Sequence, residues 1–206
     1  MNEIVSGFIF DLDGTLVDSG LNFEAMRQEM GLPSSIPILE EIDRMNGERA
    51  RHCREILDRH EREGAERATL VPGALKFLGR LDRLKIKRAL VTRNSRAMAE
   101  LTLKRCGLEF ELIITREDGP AKPDPWAIDA ICKTWKLEPS RVVMLGDFRF
   151  DMEAGKAAGT QTVYFSRGRT RESLTGLADA DYFLESFDCC EELLNALGLL
   201  EPRIRT

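Results

Sequence analysis

Phe8-Ile9-Phe10 is an unbroken apolar run that ends abruptly in Asp11-Leu12-Asp13-Gly14. A short run of bulky apolar side chains stopped at a glycine predicts a strand buried on both faces, as parallel sheets require. Comparable runs recur at Ile86–Val91, Leu112–Thr115, Val142–Leu145 and Thr162–Phe165. Between them the apolar positions fall at helical spacing, over Ala74–Leu84, Arg96–Cys106 (stopping at Gly107), Trp126–Trp135 and Met152–Ala158 (stopping at Gly159). Ser186 reads as the N-cap of a last helix that turns Phe187, Cys190, Leu194 and Leu197 inward. Strands spaced by helices imply parallel pairing through right-handed crossovers, so the predicted fold class is α/β, a doubly wound parallel sheet in a three-layer sandwich.

Residues 19–70 break this alternation. They hold no convincing strand and are rich in Glu and Arg at helical spacing, with a narrow apolar stripe of Ala50, Cys53, Leu57 and His60 inside Gly47–Gly64. About three short helices are expected here, most of their charges forming a solvated face. The chain therefore divides into an α/β core, 1–18 and 71–206, and a small all-helical cap, 19–70, inserted after the first strand.

Composition narrows the function classes. In 206 residues, 43% hydrophobic and 32% charged content fit an ordinary globular protein, and a net charge of -5 argues against a nucleic-acid partner. No apolar stretch approaches the roughly 20 residues that span a bilayer, and the N-terminal run lacks the flanks of a signal peptide. A cytoplasmic protein with no membrane partner is the expectation. The five cysteines are scattered, with no C-x-x-C pair, and are expected to be reduced and mostly buried. His52 and His60 have no third metal ligand in view and read as solvated residues of the insert.

Candidate chemistry collects at the strand ends, the edge where open α/β sheets bind ligands. Asp11 and Asp13 lie one residue apart and face the same side of an extended segment. A calcium loop is excluded, because it would need glycine sixth and glutamate twelfth, where Gly14 is fourth and Asn22 twelfth. Walker, dinucleotide and zincin motifs are absent. The second core strand delivers Thr92-Arg93-Asn94 to a helix N-terminus, a natural anion site, although Thr92 or Asn94 could equally be a simple cap. Lys122 lies in a loop stiffened by Pro123 and Pro125, and the strand ending at Leu145 delivers Asp147, with Asp151 four residues on. Carboxylates suit Mg²⁺; hydroxyl, ammonium and backbone N–H groups suit a phosphate.

With those residues in place, the chain resembles the haloacid dehalogenase-like hydrolase superfamily, in its phosphoglycolate phosphatase-like branch. Asp11-Leu12-Asp13-Gly14-Thr15 resembles its first motif, Thr92 its second, Lys122 its third, and Gly146-Asp147 through Asp151 its fourth. The resemblance implies a Rossmann-like core and a phosphatase acting on a small phosphorylated metabolite. Asp11 would be the nucleophile and Asp13 the general acid and base. Thr92 and Lys122 would hold the phosphoryl oxygens, with Arg93 and Asn94 as further phosphate-binding candidates. Mg²⁺ would be held by Asp11, by Asp13 through its backbone carbonyl, and by Asp147, with Asp151 behind them or acting through water. Asp13 favours a phosphatase over a dehalogenase, since a halide needs no proton to leave whereas an alkoxide does. A sugar-phosphate mutase, a haloacid dehalogenase and a phosphate-binding regulatory module remain the other readings. Two features depart from the family. Arg93 stands where relatives often place Asn, and can reach an acidic substrate group or point to solvent. The insert is also shorter than the branch's usual cap, which leaves open a broad specificity or a partner subunit completing the site.

Overall fold

Each face of the first strand, β1 (Gly7–Phe10), is covered by its own core. Phe8 and Phe10 pack with Phe77, Leu81, Leu90, Leu145 and Phe187 on one side. Ile9 packs with Ala89, Ile128, Ile131, Met144 and Ala154 on the other. The alternation is the two-residue period of a strand, and two covered faces explain why the run is apolar throughout. These relations come from a computed structural model that describes residues 4–34, 36–169 and 180–200. The parts of the predicted core at 1–3, 170–179 and 201–206, and Ser35 of the predicted cap, lie outside the described residues.

After β1 come β2 (Val17–Asp18), α1 (Phe23–Met30), α2 (Ile38–Arg44), α3 (Gly47–Arg67) and β3 (Thr69–Leu70). Next are α4 (Ala74–Arg83), β4 (Lys87–Val91), α5 (Arg96–Cys106), β5 (Leu112–Ile114) and α6 (Trp126–Trp135). Then follow β6 (Val142–Gly146), α7 (Arg149–Ala158), β7 (Gln161–Phe165), β8 (Tyr182–Leu184) and α8 (Cys190–Ala196). Six strands form one parallel sheet in the order β5-β4-β1-β6-β7-β8. Register fixes the site: Phe10 lies opposite Leu90 on one neighbour and Leu145 on the other, so the carboxyl ends of β1, β4 and β6 finish at one edge.

The predicted α/β class holds, with differences of detail. β8 adds a sixth strand where the sequence predicts five. Thr69–Leu70, inside a region expected to hold no strand, pairs antiparallel with Val17–Asp18 and ties the two junctions of the insert together. The insert has three helices, but α3 runs for 21 residues, about 30 Å, rather than being short. It passes through Gly64, where the close approach of Leu21 favours glycine: a Cβ there would meet the Leu21 side chain at 2.9 Å. Met26, Met30, Ile38, Ile42, Cys53, Ile56 and Leu57 form a cluster of their own within these helices. His60 is not solvated; it is largely buried, and its Nε2 lies 2.9 Å from Glu29 on α1. Ser186 caps a 3₁₀ turn that leads into α8, and Phe187, Cys190, Leu194 and Leu197 are buried as expected. All five cysteines are free thiols and only Cys189 is exposed. Among the described residues no helix is long and apolar enough to cross a membrane.

Candidate active site

Four connections at one sheet edge supply the site. Asp11 continues β1 by one residue, its N–H donating to the Leu145 carbonyl at 3.0 Å. The chain then turns: Gly14 has φ +83 and its N–H donates to Val17 at 2.8 Å. That left-handed backbone favours glycine, and a Cβ at this point would lie 2.2 Å from Asp147 Oδ2, so two needs coincide. Thr92 extends β4 in the same way, donating to the Ile114 carbonyl at 3.0 Å. Lys122 comes from the connection after β5, and Asp147 follows β6. α7 begins at Arg149, three residues before the predicted start, which puts Asp151 in its first turn. Asp151 Oδ2 accepts the Phe148 N–H at 3.0 Å, capping the helix and leaving Oδ1 to face the site.

Lys122 is the hub. Its ammonium, on a residue only 2% exposed, donates to Asp11 Oδ1 at 2.6 Å, Asp151 Oδ1 at 2.6 Å and the Val91 carbonyl at 2.9 Å. Burial alone would lower the Lys122 pKa, but Asp11 and Asp151 outweigh it and hold the ammonium charged above its usual value. Burial raises Asp11 well above the ordinary carboxylate range; Lys122 opposes this, while Asp151 and Asp147 add to it. Asp147 is pushed up to about 7, first by burial and then by Asp151.

Oxygens of Asp11, Asp147 and Asp151 lie within 4.8 Å of one another. Three carboxylates against one ammonium leave two negative charges in excess. That imbalance, and an all-oxygen donor set, fit a hard divalent cation such as Mg²⁺. Thr15 Oγ1 adds a long contact to Asp147 Oδ1 at 3.5 Å.

The Asp13 carboxylate is held apart from this trio. Its Oδ2 accepts the Asn94 side-chain N–H at 2.6 Å, and its Oδ1 is buried without a hydrogen-bond partner. Burial raises the Asp13 pKa against the pull of the Asn94 hydrogen bond. Asn94 thus serves Asp13 in this structure, and its backbone N–H donates to Thr92 Oγ1 at 3.1 Å.

Arg93 does not point to solvent. It points to Glu40 on α2, with Nη2 2.8 Å from both carboxylate oxygens, and it also donates to the Lys122 carbonyl. Its guanidinium carbon lies 4.8 Å from the centre of the Phe150 ring. A second arginine, Arg116, donates to Glu61 on α3 and, at 3.0 Å, to the Arg93 carbonyl. Sequence reading did not single out Glu40, Glu61 or Arg116; they sit among many charged residues and nothing local sets them apart.

A protein-family model described as haloacid dehalogenase-like hydrolase matches residues 5–159. The chain is 32% identical to a haloacid dehalogenase-like hydrolase domain-containing protein of Arabidopsis thaliana, across 95% of this chain and 86% of that one. It is 30% identical to an N-acetylmuramic acid 6-phosphate phosphatase of Pseudomonas putida, across 75% of this chain and 79% of the relative. It is also 29% identical to a phosphoglycolate phosphatase of Chromobacterium violaceum, across 84% and 90% respectively.

Proposed function

The chain belongs to the haloacid dehalogenase-like hydrolase family and is a phosphatase of it, and we propose that it uses Mg²⁺ to hydrolyse a small phosphate monoester through a phosphoenzyme on Asp11. The observation that carries this reading is the Lys122 ammonium bridging Asp11 and Asp151 beside Asp147. An anionic nucleophile meets a phosphate dianion only where cationic partners offset their repulsion, and Lys122 is one such partner already fixed on the nucleophile. Asp11, Asp147 and the backbone carbonyl of Asp13 would hold Mg²⁺, with Asp151 behind them, and the bound ion would neutralise charge on the phosphoryl oxygens.

In the first half-reaction an Asp11 carboxylate oxygen forms a bond to phosphorus as the bond to the leaving oxygen breaks. Asp13 gives its proton to that oxygen, releasing an alcohol. Burial raises the Asp13 pKa from its ordinary value, a direction that suits an acid, and Asn94 holds the carboxylate in place. In the second half-reaction Asp13 takes a proton from water, which attacks phosphorus and frees the Asp11 carboxylate and inorganic phosphate. Thr92 Oγ1 and Lys122 would hold the phosphoryl oxygens between the two halves. The insert would lie over the site as a small cap.

Substrate identity is the finer question. Relatives named for N-acetylmuramic acid 6-phosphate and for phosphoglycolate are almost equally similar to this chain, so similarity favours neither. A panel of phosphate monoesters assayed with and without Mg²⁺, against an Asp11→Asn control, tests the reading. Phosphate release that needs both Mg²⁺ and Asp11 is expected; an Asp11→Asn protein with full turnover overturns it.

A further inference from the structure

Arg93 stands between Thr92 and Asn94, two residues turned into the site. Its guanidinium bonds the carbonyl of Lys122 and lies on Phe150, which is flanked by the Asp147 and Asp151 connection. It therefore sits where three site-bearing connections meet α2 of the insert. With its phosphoryl group on Asp11, a substrate would extend its organic part away from the sheet edge, toward the insert that Arg93 meets.

A lone arginine here would draw a second anionic group on the substrate, because guanidinium and carboxylate match as planar, charge-assisted partners. In this chain Glu40 already fills that place, with both oxygens 2.8 Å from Arg93 Nη2. The pair is only partly covered, the side chains being 22% and 38% exposed, so a ligand can reach it.

We propose that the Arg93–Glu40 pair selects the substrate class of the phosphatase proposed above. It admits monoesters whose leaving group is uncharged and bears hydroxyls, and it disfavours those carrying a carboxylate. A substrate carboxylate would have to displace Glu40 from Arg93 or lie beside its negative charge. A hydroxyl does neither: it can donate to a Glu40 oxygen and accept from a remaining guanidinium N–H. The insert thus sets specificity by neutralising a core cation, a role the seven-residue α2 can fill without enclosing the ligand.

The test compares phosphoglycolate with hydroxyethyl phosphate, which has the same chain length and a hydroxymethyl group in place of the carboxylate. The proteins are the full-length chain, Glu40→Gln, Glu40→Ala, and Glu40→Gln combined with Arg93→Met. Freeing one charged donor should raise the ratio of kcat/KM for phosphoglycolate over hydroxyethyl phosphate about tenfold in both single variants, chiefly through KM. The combined variant should lose that gain. Glu40 is exposed enough that neither substitution strands a buried group, and retained turnover of ethyl phosphate, which has no second polar group to meet the pair, checks that the site is intact. A ratio that stays level or falls in the Glu40 variants overturns the proposal, as does a gain that survives loss of Arg93. Absence of turnover of every monoester by the full-length chain would sink the phosphatase reading instead. Calorimetric binding of the same two probes to Asp11→Asn, with and without Glu40→Gln, then still decides the selectivity.

Discussion

Arg116 and Glu61 form an ion pair between the connection after β5 and helix α3, and the Glu61 side chain is only 5% exposed. One carboxylate oxygen is bonded by Arg116, and the other is buried with no partner. Burial pushes the Glu61 pKa up against the pull of Arg116, so the charge is costly and depends on its arginine. Arg116→Ala should therefore destabilise the protein by about 3–5 kcal/mol, because it strands a buried charge. Arg116→Ala combined with Glu61→Leu should recover a large part of that loss. Denaturant unfolding of the two variants beside the parent protein checks the order.

The excess negative charge at the site makes a second prediction, with a definite sign. Burial and mutual repulsion raise Asp147 to about 7 and also raise Asp11. The folded state then binds more protons than the unfolded chain between the unfolded value, about 4, and about 7. Stability of metal-free protein should fall as pH rises through that window. Mg²⁺ should flatten the slope and raise Tm most at the alkaline end. Melting curves across that range with EDTA or with Mg²⁺ test this; a Tm independent of Mg²⁺ at every pH counts against a cation at these carboxylates.

Lys122→Met removes the ammonium that bridges Asp11 and Asp151. Turnover should drop at least about a thousandfold, as expected when a charge-stabilising group is lost from a phosphoryl-transfer site. The variant should also melt lower than the parent at neutral pH and regain stability on acidification, as its unpaired carboxylates take up protons. Steady-state assays and melting at two pH values separate the catalytic loss from the structural one.

On the acid side the sign reverses at Asp118 and Asp181. Burial works to raise both, but it is outweighed. Asp118 accepts from the Thr115 N–H at 2.7 Å and from Arg96 at 2.6 Å; Asp181 is paired with Lys156 and accepts from the Thr162 N–H at 2.8 Å. Carboxylates held below their unfolded pKa contribute stability that is present above that value and lost as pH falls through the folded one. Asp118→Asn and Asp181→Asn should each make the acid limb of the stability curve shallower and leave its alkaline limb unchanged.

Asp11, Asp13 and Asp147 were legible in the sequence because a carboxylate ending an apolar strand has no packing reason to be there. Strands β1, β4, β5, β6 and β7 were legible because two covered faces make them apolar runs, and the core helices because one covered face gives a helical period. What escaped is short or depends on docking. β2 and β3 pair two residues each, too few to show a pattern. The glycine at 64 inside α3 is explained only by Leu21, a distant neighbour in the chain that occupies the space a side chain would take. Glu40 and Glu61 have the same local setting as the solvated glutamates around them. Only the approach of Arg93 and Arg116 from the core sets them apart, and that is tertiary information.

Gly14 offers the sharpest test of how the first turn and the fourth connection fit together. Its φ of +83 already disfavours any side chain, at about 1 kcal/mol for alanine. The larger effect is steric: a Cβ would stand 2.2 Å from Asp147 Oδ2 and 2.6 Å from its Cγ, well inside contact distance. Relief requires Asp147 to swing away or the Asp13–Val17 turn to open, and either movement takes a carboxylate from the trio or shifts the backbone carbonyl of Asp13. The sheet and its two cores lie behind the turn and should be unaffected. Gly14→Ala should thus keep the circular dichroism of the parent and lose only modest stability. Its turnover should fall at least about a hundredfold, the scale of loss when a catalytic group is displaced by an ångström. The Mg²⁺-induced rise in Tm should shrink with it. Parent-like turnover in Gly14→Ala would mean that Asp147 is not held against this turn in the working enzyme.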